Sequence, residues 1–288
     1  MDFAAVLTIE ILYAVASLAL ISVGLAIIFG MMRVINFAHG EFLMIGGYAV
    51  IVATDAGINL WISMLVIAPL VVGVIGVAIE RLLIRHLYGR MIETLLATWG
   101  LSFFLIGLAT TIFGNTTRGL SAPLGSLTIG DYRTGQYTVF VILFTLLILL
   151  LTYACLRFTR AGLIARGTMQ NPSMASALGI ATPRVYTITF GVGSALSGLA
   201  GAVLAPLAGV LPTMGIAYVA KAFIAVISGG VGILSGTATA AALFGTINQL
   251  VTFVATPVFG EVALLVAAVV LLRLMPQGIT GRFFRRGL

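Results

Sequence analysis

The 288-residue chain is 61% hydrophobic and only 8% charged, with a mean hydropathy of +1.20. A soluble domain carries about 25% charged residues, so most of this surface faces lipid and a soluble enzyme or binding module is excluded. The net charge of +7 would suggest nucleic acid in a soluble protein. Here, however, the basic residues gather in short segments between apolar runs, which is the pattern of cytoplasmic loops, and no nucleic-acid partner is expected.

In chain order, apolar runs cover residues 11–32, 42–54, 60–79, 95–113, 137–156, 185–207, 218–231, 237–254 and 262–274. At about 20 residues per helical span, they predict an all-α integral membrane protein. It is a polytopic bundle of about eight to nine transmembrane helices, with some segments broken or re-entrant. The glycines at 229, 230 and 232 mark the place for such a break. Thirty-four glycines suit close helix packing in lipid. Residues 114–136, rich in Gly, Thr and Ser, read as a loop. No linker or repeat divides the chain, so residues 1–288 are expected to form one transmembrane domain.

Three basic segments set the orientation: Arg81, Arg85 and Arg90; Arg157, Arg160, Arg166 and Arg184; and Arg273, Arg282, Arg285 and Arg286. All three should be cytoplasmic. The C-terminus is then inside, and three runs before Arg81 place the acidic N-terminus outside. The N-terminus has no basic n-region, so no cleaved signal peptide is expected.

Several chemistries find no residues to carry them. There is no phosphate-loop motif and only one lysine, Lys221, so ATP is not handled by that route. No HExxH or GxSxG motif occurs. Cys155 is the only cysteine, and nothing pairs His39 with His86, so no metal site is expected.

Two polar stretches stand out. The first, Arg33, Asn36, His39 and Glu41, falls between apolar runs, where ionisable groups are costly and usually functional. It reads either as a helix break beside a translocation path or as a cytoplasmic turn with an Arg33–Glu41 pair. The second is a cytoplasmic segment of about residues 157–185, longer than a connection needs to be. Pro172 there suits the start of a short helix over 173–178. A soluble partner could grip that helix, or the segment is a solvated basic loop. Lys221, alone in an apolar run, either snorkels to the interface or faces a polar cavity.

At these residues a family resemblance emerges. Gly24-Leu25 through Phe29-Gly30, then Arg33-Val-Ile-Asn36-Phe-Ala-His39-Gly40-Glu41-Phe42, closely resembles the signature of high-affinity branched-chain amino acid importer permeases. Thr159-Arg160-Ala-Gly162, Gln170-Asn171 and Ala177-Leu178-Gly179-Ile180 resemble that family's coupling loop. Gly198-Leu-Ala-Gly201 and Gly229-Gly230-Val231-Gly232 also fit. The family includes urea and short-amide permeases, and Tyr88-Gly89-Arg90 with Trp99-Gly100 is similar to that branch.

The resemblance implies the permease subunit of an ATP-binding-cassette importer in the bacterial inner membrane. The substrate would be a branched-chain or other small neutral amino acid, or alternatively urea or a short amide. A self-contained channel or secondary transporter is a further alternative. The chain itself would not be an enzyme and would carry no cofactor, with ATP and Mg on two separate ATPase subunits. A second permease, a related paralogue, and an extracytoplasmic binding protein would complete the assembly. Arg160, Gly162, Arg166, Gln170, Asn171, Ala177 and Gly179 would couple to the ATPases. Arg33, Asn36, His39, Glu41 and Lys221 are the candidates for the substrate pathway.

Overall fold

In the computed structural model, residues 2–130, 132–230 and 232–284 are described. Val231, in the glycine motif, and Arg285 and Arg286, in the basic tail, lie outside them. Helix dominates. In order come α1 (Asp2–Met32), α2 (His39–Asp55) and α3 (Leu60–Ile62), which continues through a π-helical turn, Ser63–Ile67, into α4 (Ala68–Leu82). Then follow α5 (Met91–Phe113), α6 (Gln136–Phe158), α7 (Arg160–Gln170), α8 (Pro172–Ala177) and α9 (Thr182–Ala208). The chain continues through α10 (Met214–Gly229), α11 (Ile233–Val254), α12 (Pro257–Leu274) and α13 (Gly278–Phe284).

Seven helices among the described residues are long and apolar enough to cross a membrane, counting Leu60–Leu82 as one. The chain is therefore a multi-pass membrane protein. Two further helices are shorter: α2 has 17 residues, and the apolar α10 has 16.

Contacts divide the chain into two compact units. The first comprises Val23–Leu120 and Leu150–Ala220. Its core is the packing of α9 against α2 and α4, and glycine makes that packing possible. A Cβ at Gly46 would strike the Gly198 backbone, and one at Gly201 would strike the Leu43 carbonyl. In lipid, where apolar burial does not drive helices together, such backbone-to-backbone approach supplies the dispersion energy. Phe42, Val72 and Phe190 fill the centre. α5 instead turns Ile92, Leu96, Trp99, Phe103 and Phe104 outward, as a helix solvated by acyl chains does.

The second unit comprises Met1–Ser22, Ser121–Leu149 and Lys221–Leu288. There α11 packs on α12, and Gly245 of α11 meets the Val15 backbone of α1. α13 docks where α10 gives way to α11. The Thr280 hydroxyl donates to the Gly229 carbonyl at 2.5 Å and accepts the Gly232 N–H at 2.9 Å. One side chain thus satisfies the end of one helix and the start of the next.

Two details differ from the sequence reading. Residues 114–136 are not wholly loop, because Ser126–Ile129 and Tyr132–Gly135 pair as an antiparallel hairpin. The Thr- and Tyr-containing strands flank Gly130, whose φ of +59° opens the tight turn. The segment after Arg157 is not a loop with one short helix either. It holds two helices, α7 and α8.

Candidate translocation and coupling sites

The first polar stretch is a true helix break. α1 ends at Met32, and Arg33 follows in the left-handed region with φ +52°. Helices often end this way, but usually on glycine. A side chain there costs roughly 1–2 kcal/mol. Arg33 is exposed, and its N–H donates to the Phe29 carbonyl at 2.9 Å.

Residues 34–38 cross to α2 without helix, so their backbone needs other partners. Thr98, on the hydroxyl-bearing face of α5, accepts the Phe37 N–H at 3.2 Å. Asn36 turns its Oδ1 to the Ala38 N–H at 3.1 Å, an Asx-type turn that leads into the helix. His39 is fully buried, with Nε2 3.3 Å from the Ser197 hydroxyl on α9. Ser197 also donates to the Gly193 carbonyl at 2.9 Å.

Glu41 is different. It is 0% exposed, and among the described residues neither carboxylate oxygen has a hydrogen-bond partner. The Ser102 hydroxyl of α5 acts on it, yet stands outside direct hydrogen-bonding geometry. The Arg33–Glu41 pair does not form. Asn36, His39 and Glu41 are therefore gathered at the start of α2, while Arg33 is turned away.

Lys221 belongs to the other unit. Its ammonium lies 2.6 Å from Glu261 Oε1 on α12, so it is ion-paired. The pairing of residues 40 positions apart had no signal in the sequence.

The second stretch is built from caps. The Thr159 hydroxyl accepts the Gly162 N–H at 3.0 Å and starts α7. Asn171 accepts the Met174 N–H at 2.9 Å and, with Pro172 in the first turn, starts α8. Gly179, at φ +85°, ends α8, and the Ile180 N–H returns to the Ala175 carbonyl at 3.0 Å, a left-handed helix stop of the usual glycine kind. Gly162 is buried against the Cys155 and Leu156 carbonyls, where a Cβ would clash. Arg166 reaches back to the Gly162 carbonyl at 3.4 Å and the Arg157 carbonyl at 3.5 Å. It ties α7 to the end of α6. Arg160, Gln170, Asn171, Ala177 and Gly179 are exposed, as are the apolar side chains of Leu163, Met174 and Leu178.

A third polar group was missed from sequence. Glu80, fully buried at the end of α4, accepts from the Tyr88 hydroxyl at 2.5 Å, with Arg85 Nε at 3.5 Å. Arg85 also donates to Thr187 on α9 at 2.8 Å. Burial pushes the Tyr88 phenol well above its ordinary pKa, and the Glu80 carboxylate adds to the shift. The network fastens the α4–α5 connection to the first turns of α9. Among the described residues, no three His, Cys, Asp or Glu gather as a metal site.

Comparison with known proteins bears on what this architecture serves. The profile of the family described as branched-chain amino acid transport system / permease component matches residues 7–275. The chain is 29% identical over 282 residues to the high-affinity branched-chain amino acid transport system permease protein LivH of Salmonella typhimurium, covering 92% of this chain and 91% of LivH. LivH of Escherichia coli gives the same identity and coverage. The high-affinity branched-chain amino acid transport system permease protein BraD of Pseudomonas aeruginosa is 28% identical over 287 residues, with 92% of this chain and 91% of BraD covered. No solved structure matches. The chain belongs to the family of branched-chain amino acid transport system permease components.

Proposed function

We propose that this chain is the permease subunit of an ATP-binding-cassette importer that moves branched-chain and other small neutral amino acids across the bacterial inner membrane. The observation that carries the reading is the α7–α8 pair. It is capped at each start, tied back to α6 by Arg166, and presents Gln170, Asn171, Ala177 and Gly179 outward. A rigid, exposed helix pair between two long helices suits a lever for a soluble motor. In this reading two ATPase subunits, holding ATP and Mg, grip α8, and their closure moves α9. A second, related permease completes the channel, and an extracytoplasmic binding protein delivers substrate.

The chain forms one permease domain. The seven long apolar helices, together with the shorter α2 and α10, act as spans or re-entrant pieces, with the N-terminus outside and the C-terminus in the cytoplasm. Asn36, His39 and Glu41 belong to the pathway, with Arg33 at its inner mouth, and Lys221 fixes α10 to α12. The relatives' descriptions weigh toward amino acids and away from urea.

The test is Ala177→Glu in the assembled importer reconstituted in vesicles. ATP hydrolysis should persist while leucine uptake falls at least about tenfold. Unchanged uptake would overturn the coupling role of α8.

A further inference from the structure

The start of α2 leaves polar atoms that no described residue satisfies. Both Glu41 oxygens and Asn36 Nδ2 are buried without hydrogen-bond partners. So is the Tyr48 hydroxyl, which lies seven residues beyond Glu41. Seven residues is close to two turns, so Glu41 and Tyr48 share one face of α2, about 10 Å apart along it. Opposite that face, α5 places Ser102 beside the carboxylate. Farther along, Leu105 and Ala109 pack with Met44 and Tyr48. Across from Glu41 stands Gly215, in the first turn of α10. A Cβ there would sit 2.8 Å from Oε1. The carboxylate therefore meets backbone, not a side chain that could neutralise it.

Leaving a carboxylate buried and unpaired is costly. The immediate surroundings show that the chain pairs such groups where it can: Phe37 N–H with Thr98, Ala38 N–H with Asn36 Oδ1, and His39 with Ser197. What remains unmatched at the polar end is specific, acceptors at Glu41 and a donor at Asn36, with the Tyr48 hydroxyl two turns farther along. A zwitterionic α-amino acid supplies the complement. Its ammonium carries three donors and a positive charge, and its carboxylate accepts. Beyond the polar end, Met44, Ile45 and Leu105 line the same region with apolar surface, suited to a branched aliphatic side chain. Urea, which is uncharged, gives a buried carboxylate no counter-ion.

We propose that Glu41 and Asn36 form the polar end of the amino-acid site in the translocation path. Glu41 receives the substrate ammonium, and Asn36 Nδ2 donates to the substrate carboxylate. The structure is the closed state of that site, since the Gly40 and Gly215 backbones touch. Separation of α2 from α10 and α5 during the transport cycle admits the substrate. This rests on the importer reading above.

The test uses the assembled importer with its binding protein in vesicles. Glu41→Gln keeps the shape and removes the charge. Leucine uptake should fall at least tenfold, while ATP hydrolysis stimulated by the loaded binding protein continues. In detergent and without binding protein, the Glu41→Gln complex should lose affinity for 3-methylbutylamine, which has the ammonium alone. Its affinity for 4-methylpentanoate, which has the carboxylate alone, should be unchanged. Its melting temperature should equal or exceed that of the wild type, because an unpaired buried charge has gone. Normal leucine uptake by Glu41→Gln would overturn the proposal, as would a lowered melting temperature with parallel loss of ATP hydrolysis. If the wild-type assembly itself fails to take up leucine, the importer reading fails, and this site fails with it.

Discussion

The two polar interruptions of this membrane chain are built in opposite ways. Between α6 and α9, three polar side chains answer backbone groups, Thr159 and Asn171 as caps and Arg166 on carbonyls, and Gly179 closes the turn. Between α1 and α2, the chain accepts a left-handed arginine and leaves Asn36 and Glu41 partly unanswered inside the protein. The first pattern makes a rigid surface. The second leaves buried polar atoms without a partner among the described residues. Neither follows from charge alone, since both stretches carry arginine and asparagine.

The comparison can be broken most forcefully through the packing that holds the second region in place. Gly201→Leu would drive a side chain into the Leu43 carbonyl. It should destabilise the protein by about 3 kcal/mol or more, read as loss of a monodisperse species in detergent. Next, Asn171→Ala removes the α8 cap at about 1 kcal/mol. Uptake should drop several-fold at unchanged expression, measured in the assembled importer. Arg33→Gly relieves the positive φ and should raise the melting temperature, by a gain of about 1 kcal/mol or less. The smallest effect belongs to Lys221–Glu261, a partly exposed pair. A double-mutant cycle with Lys221→Met and Glu261→Gln should give a coupling of about 1 kcal/mol or less.

Much of this fold could be read in the sequence, because lipid imposes a simple rule on it. Within the described residues all nine apolar runs reappear as helices, most with ends displaced by a few residues, as 60–79 became Leu60–Leu82 and 262–274 became Pro257–Leu274, while α1 begins nine residues before its run. Apolar length is a local property, and so are the cap at Asn171 and the break at Arg33. What could not be read is pairing across distance. Lys221 with Glu261, Tyr88 with Glu80, and Thr280 bridging Gly229 and Gly232 all depend on which helices lie side by side. The hairpin at 126–135 was hidden for another reason. Its strands are four residues each, too short for alternation to stand out among turn residues. At the candidate site, the residue types were evident, but the unmatched state of Glu41 was not. A nearby arginine in sequence suggested a partner, and the left-handed turn at Arg33 sends that partner elsewhere.

The central claim is that this chain transports only as part of an ATP-driven assembly. The most direct measurement is leucine accumulation in vesicles holding the chain alone, or the chain with its partner permease, ATPases and binding protein, each with and without ATP. The account predicts accumulation only in the complete assembly and only with ATP. Leucine flux through the chain alone, independent of ATP, would contradict it and establish a self-contained carrier or channel instead.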